Sequence, residues 1–140
     1  MTIIAAIQTY LKTYTELDDN APVWVDALGK VATEYAISPL PGTRIVEEYL
    51  NGASLREFPF SFSSSESTAD ELERVTNVGF YEAFAQWLDE QSDAGILPTL
   101  DAGMTAEKIE STGWGYLYQE GESGTGIYQI QCKLTYTQEA

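Results

Sequence analysis

Carboxylates dominate the charged side chains of this sequence: 22 Asp and Glu stand against 7 Lys and Arg in 140 residues, with no histidine at all. The smallest equipment for glycosidase-type hydrolysis is a pair of carboxyl groups opposed across a substrate, about 5 Å or more apart. Sequence neighbours such as Glu47 and Glu48, or Asp89 and Glu90, do not imply that geometry, because adjacent helix residues do not face one another. A solvated acidic face accounts for them. Asp18-Asp19-Asn20 could offer oxygen ligands to calcium, yet the spaced Asp-x-Asp-x-Asp-Gly loop closed by a glutamate is missing, and a loop with helix-capping potential fits as well. The absence of histidine removes the side chain most used for proton transfer at neutral pH and for binding transition metals. The single Cys132 cannot form a disulfide within the chain, and its position on the apolar side of a strand makes it a small buried side chain. Gly121–Gly126 is glycine-rich, but no phosphate-binding lysine follows and the flanks read as antiparallel strands. Thr112-Gly113-Trp114-Gly115-Tyr116 could stack bases, but no basic groove accompanies it. The expectation is a non-enzyme with no catalytic, cofactor-binding or metal-binding residues and no cofactor.

The charge narrows the partners. A formal net charge of -15 repels the phosphate backbone, so sequence-specific nucleic-acid binding is not expected. The same charge keeps a chain soluble, or lines a passage so that DNA does not stick to it. No apolar run approaches the roughly 20 residues that span a bilayer, and Met1–Tyr14 has neither a basic leader nor a small-residue cleavage pattern. A cytosolic chain without membrane contact is expected. With 44% hydrophobic residues over 140 positions, the length suits one core, hence a single domain over 1–140.

The elements that must position these residues follow from apolar spacing. Ile3, Ile4, Ile7, Tyr10 and Leu11 keep a three-and-four rhythm, with Thr2 available as cap, so Met1–Tyr14 is a first helix. Glu16–Pro22 reads as a loop into a strand at Val23–Val25. Tyr35-Ala36-Ile37 is a further apolar run, broken by the prolines of Ser38–Gly42. Thr43–Leu50 and Ala53–Phe62 flank Asn51-Gly52, the dipeptide of a two-residue hairpin turn. Phe58, Phe60 and Phe62 share one face, while Pro59 lacks a donor and marks an edge strand. Thr68 with Glu71 fits a capping box, opening a helix over Ala69–Glu90 that Gly79 either kinks or divides. Phe80, Phe84, Trp87, Leu88 and Gln91 form its apolar stripe. Gly95 is a C-terminal stop, and Ile96–Leu100 returns apolar side chains to the core. Lys108–Tyr118 and Ile127–Tyr136 read as strands joined by Gln119–Gly126, with Tyr128, Ile130, Cys132, Leu134 and Tyr136 on one face. The fold class expected is α/β in the α+β sense: two layers, with a mixed or mainly antiparallel sheet containing a β-hairpin packed against two main helices.

The order Phe-x-Glu-x-Phe-x-x-Trp-Leu-x-x-Gln from Phe80, Gly-x-Leu-Pro-x-Leu from Gly95, and Tyr-Gln-Ile-Gln-x-x-Leu-x-Tyr from Tyr128 resembles the tail terminator group of long-tailed bacteriophages, often labelled minor capsid proteins. The likeness is carried chiefly by Asn77–Leu100 and Lys108–Tyr136. It implies a virion protein of the tail and neck, held in the host cytoplasm before assembly. Such a protein forms a ring, six subunits in the assembled particle, that caps the tail tube and joins it to the head connector. Its partners are then further copies of itself, the tail tube protein and the head connector protein, and a connector subunit is the neighbouring assignment. A closed ring needs one patch meeting a different patch on the next subunit. With Ala53–Phe62 as the edge strand, Arg44, Tyr49, Arg56 and Phe58 fall in or near that contact. The alternative of another class is an acidic DNA mimic that sequesters a basic partner; a carboxylate hydrolase ranks last.

Overall fold

A computed structural model of the chain describes residues 1–17, 23–26, 34–121 and 124–140, and every structural statement below concerns these. The expected calcium-like run Asp18–Asn20 and Glu122-Ser123 of the glycine-rich loop lie outside the described residues.

Helix α1 (Ile3–Leu11) opens where expected: the Thr2 hydroxyl oxygen accepts from the Ala5 N–H at 3.2 Å, satisfying a donor that has no partner within the helix. It buries Ala6, Ile7, Tyr10 and Leu11. Strands β1 (Val23–Val25) and β2 (Glu34–Pro39) are parallel; β3 (Ile45–Glu48), β4 (Ser54–Ser67), β5 (Met104–Ser111), β6 (Tyr116–Glu120) and β7 (Thr125–Gln138) all pair antiparallel. The result is one seven-stranded mixed sheet in the order β1-β2-β4-β7-β5, with β3 added on β4 and β6 on β7. Helix α2 (Glu71–Asp93) and α1 pack on its apolar face. This is the expected α+β class, a sheet packed against helices.

The expected edge strand is the centre of the sheet. β4 pairs β7 from Ser54↔Gln138 to Ser67↔Thr125, and on its other side carries β2 along Phe60–Ser65 and β3 along Ser54–Arg56. Pro59 is tolerated because it falls in the gap between β2 and β3. Its carbonyl accepts from Leu40 N–H, and since N–H and C=O of a strand residue point the same way, the missing donor faces that gap. Gly42 sits close by: a Cβ there would lie 3.0 Å from the Pro59 ring.

The hairpin between β3 and β4 exists, but its turn has three residues. Tyr49 C=O accepts from Gly52 N–H at 3.0 Å, and Tyr49 N–H donates to Ala53 C=O at 2.8 Å. Only Gly52 of the dipeptide has positive φ, +90°. That is a type I turn closed by a left-handed glycine, in which Asn51 needs no left-handed backbone; its side chain instead accepts from Ala53 N–H.

Helix α2 is one unbroken element through Gly79. Its cap is Asp70, whose carboxylate accepts from Glu73 N–H at 2.8 Å, and not Thr68. Strand β4 extends to Ser67, and Thr68 N–H is tied to Gly124 C=O, so the chain leaves the sheet too late for Thr68 to cap. Glu73 reaches back to accept from the Ser67 hydroxyl at 2.6 Å. At the other end Gly95, with φ +74°, donates to Ser92 C=O while Ile96 donates to Gln91 C=O, the paired bonds of a Schellman stop. After it, Leu97 and Leu100 return to the core whereas Ile96 stays exposed.

The buried face of α2 is Asn77, Tyr81, Phe84, Ala85 and Leu88, rotated from the expected stripe. Phe80 and Trp87 are half-buried and turn toward the residues at the end of α1: Tyr14 lies 4.7 Å from Trp87 and 6.1 Å from Phe80, centroid to centroid, and Phe80 also stacks on Tyr35 of β2 at 6.1 Å. Phe62 stacks on Phe84 at 4.6 Å and on Tyr35 at 5.6 Å, joining helix to sheet with aromatic contacts worth about 0.5–1.5 kcal/mol each beyond burial. The alternating face of β7 is entirely buried, Cys132 included.

Candidate subunit interface

A strand buried on one face alternates apolar and polar residues, so consecutive large apolar residues must place one on each face. In β6, Tyr116-Leu117-Tyr118 does so, and all three are exposed. The segment expected as one strand, Lys108–Tyr118, is two strands, β5 and β6, laid end to end along β7 and interrupted at Thr112–Gly115. Trp114 in that interruption is 73% exposed. Tyr116 on β6 accepts a hydrogen bond from the Gln129 amide at 3.1 Å, which fixes its ring over the polar face. A second exposed apolar cluster surrounds β3: Val46 and Tyr49 are exposed and Leu50, at the hairpin tip, is wholly so.

The two clusters occupy diagonally opposite corners of the sheet. β3 lies along Ser54–Arg56, at the start of β4. β6 lies along Gly126–Gln129 on the far side of β7, and Gly126 pairs Glu66 near the end of β4. Among the described residues each of these strands has one paired side only, and neither carries the lysine or proline with which exposed edges are usually blunted.

Of the residues expected in the contact, Arg44 and Tyr49 are exposed beside β3. Arg56 is half-buried opposite Ile45, with Nε donating to the Ser54 hydroxyl at 2.9 Å. Phe58 packs against the core. Arg44 and Tyr49 thus flank the two ends of β3 and Arg56 pairs with it, while Phe58 belongs to the core. Sequence reasoning missed Val46, Leu50 and the β6 corner; the unbroken Tyr-Leu-Tyr run was the available signal. A further exposed apolar row, Leu72, Val75 and Val78, runs along α2.

The groups with displaced acidities sit in the core or in a surface pair. Burial pushes the Tyr10 hydroxyl up to about 12, and it donates to Ile96 C=O at 2.8 Å. Burial raises Tyr14, helped by Glu16, and raises Cys132. Tyr81 lies well above its ordinary value through burial, opposed by its hydrogen bond with Ser64. Lys133 is raised chiefly by its hydrogen bond to Glu57 on the polar face, at 2.8 Å. A mainly apolar pocket of about 640 Å³ between α1 and the Ile96–Asp101 segment is lined by Tyr10, Trp87 and Leu97, with Thr9, Thr13 and Asp101 also on its wall.

Among the described residues no three Cys, Asp or Glu come together as a metal-ligand group, and no helix is long and apolar enough to cross a membrane. Neither a protein-family model nor a curated protein matches the chain.

Proposed function

We propose that the chain is a structural subunit of a long-tailed phage particle, a tail-terminator-like protein that forms a ring on the tail tube and joins it to the head connector. The observation that carries this reading is the pair of exposed apolar clusters, Val46, Tyr49 and Leu50 around β3 and Tyr116–Tyr118 on β6, at opposite corners of one sheet. Different patches on one subunit make a heterologous contact, which closes into a ring when the rotation allows. The resemblance motifs supply the phage assignment, and they fall on α2, the loop after it and β5–β7. The acidic surface suits a part through which DNA passes without adhering.

The test is light scattering and negative-stain imaging of the purified full chain, followed by tail measurement in a phage lacking it. Rings, loss of ring size in Arg56→Glu, and tails of uncontrolled length support the reading. A monomer that captures a basic nuclease or repressor, with no effect on tails, replaces it with DNA mimicry.

A further inference from the structure

Between α2 and the connection from β5 to β6 runs a groove of about 470 Å³, lined by Glu82, Ala85, Gln86, Asp89, Thr112 and Trp114 among others. Glu82 and Asp89 are seven residues apart and so share one side of the helix. Both are exposed, and neither is in an ion pair among the described residues. Ala85 is buried and gives the groove an apolar floor. Trp114, exposed, lines the same groove as the two carboxylates. Two acids beside an indole are the surroundings a guanidinium prefers, since a planar cation stacks on the ring and donates to the acids together.

Few groups in this chain answer that description. Among the described cations Lys12, Lys108 and Lys133 are ammonium groups without a planar face, and the last two are paired with Glu110 and Glu57. Arg74 donates to Thr68 C=O, and Arg56 to Ser54. Arg44 is exposed and has no ion pair among the described residues. It immediately precedes β3 and its apolar cluster, just as Trp114 precedes β6 and its cluster. Each corner therefore sets charged groups beside an apolar cluster: Arg44 at β3, where Glu47 and Glu48 are also exposed, and Glu82 and Asp89 beside Trp114. The corners lie at opposite ends of the sheet, so the match is made between copies. It also answers a physical requirement: subunits of charge -15 repel at long range, and association needs local attraction where they touch.

We infer that the groove between α2 and Trp114 receives the Arg44 guanidinium of a second copy of this chain, a contact that rests on the ring reading above and names its polar half. The experiment measures assembly of the full chain by sedimentation for the unaltered protein, Arg44→Glu, Glu82→Arg and the combined charge swap, with circular dichroism to confirm that each folds. Each single reversal is expected to raise the concentration for half-assembly by about tenfold or more, and the swap to recover most of that loss. A second measurement joins Arg44→Cys to Glu82→Cys in one chain; oxidation then yields covalent multimers that reductant dissolves. Normal assembly in both single reversals, or no recovery in the swap, overturns this contact and leaves the ring standing. A monomer in every arm, the unaltered protein included, overturns both.

Discussion

Gly115 lies directly against Tyr81: a methyl group built at Gly115 overlaps Cβ and Cγ of that ring. Tyr81 cannot yield easily, because it is fully buried, shares a hydrogen bond with the Ser64 hydroxyl at 2.6 Å and donates to Tyr128 C=O at 3.1 Å. The bare backbone at Gly115 is what allows the connection before β6 to cross over α2. Gly115→Ala is therefore expected to destabilise the fold by about 1–3 kcal/mol, the usual cost of overpacking, read as a lower midpoint in urea. An unchanged midpoint would mean that the loop moves aside freely.

Tyr81→Phe keeps the ring and removes its hydroxyl. The Ser64 side chain, buried completely, then loses that partner, at a cost of about 1–3 kcal/mol. Adding Ser64→Ala removes the stranded group, so the double variant should be less than additive. A double-mutant cycle in urea measures this directly.

The two ends of the question posed by Gly79 are separable. Gly79 is helical, exposed and has no atom within 4 Å of an added Cβ. Gly79→Ala should stabilise by up to about 1 kcal/mol through propensity alone. Asp70→Ala removes the cap of the same helix and should cost about 1 kcal/mol. Thermal unfolding checks both, and a cost from Thr68→Ala as large as that from Asp70→Ala would contradict the capping assignment.

Alkali should unfold this protein through its tyrosines. Tyr10 and Tyr81 have folded pKa values above the ordinary 10, Tyr10 at about 12. Below pH 10 both states hold the protons and stability is whole. Above it the unfolded chain ionises first, so stability falls as pH rises from 10 through 12. A melting-temperature series over that window, repeated in Tyr10→Phe, should show a shallower decline in the variant.

Local signals were legible in the sequence, and signals that depend on the neighbouring chain were not. The alternation from Tyr128 to Tyr136, the Thr2 cap and the Gly95 stop are each decided within a few residues, and each stands as read. Pro59 did announce a missing ladder bond, but whether that bond is absent at an edge or at a gap between β2 and β3 depends on where two earlier strands pair. Thr68 and Asp70 each precede an acid by three positions; the choice between them was made by the length of β4 and by Gly124. The apolar stripe of α2 was misphased because the helix touches two surfaces, the sheet and the aromatic side chains of Tyr10 and Tyr14. Of the residues expected in the contact, Arg44, Tyr49 and Arg56 lie on or beside the β3–β4 hairpin, while the β6 corner was announced only by Tyr116-Leu117-Tyr118, which breaks the alternation of a strand buried on one face.

The 14-residue ladder joining β4 to β7 runs without a register shift from Ser54 to Ser67. Its bonds lie across the strand direction, so a pull that slides one strand along the other strains all of them at once instead of peeling them in turn. Such a seam behaves as a mechanical clamp, stiff in shear along its length and weakest where tension can start at one end.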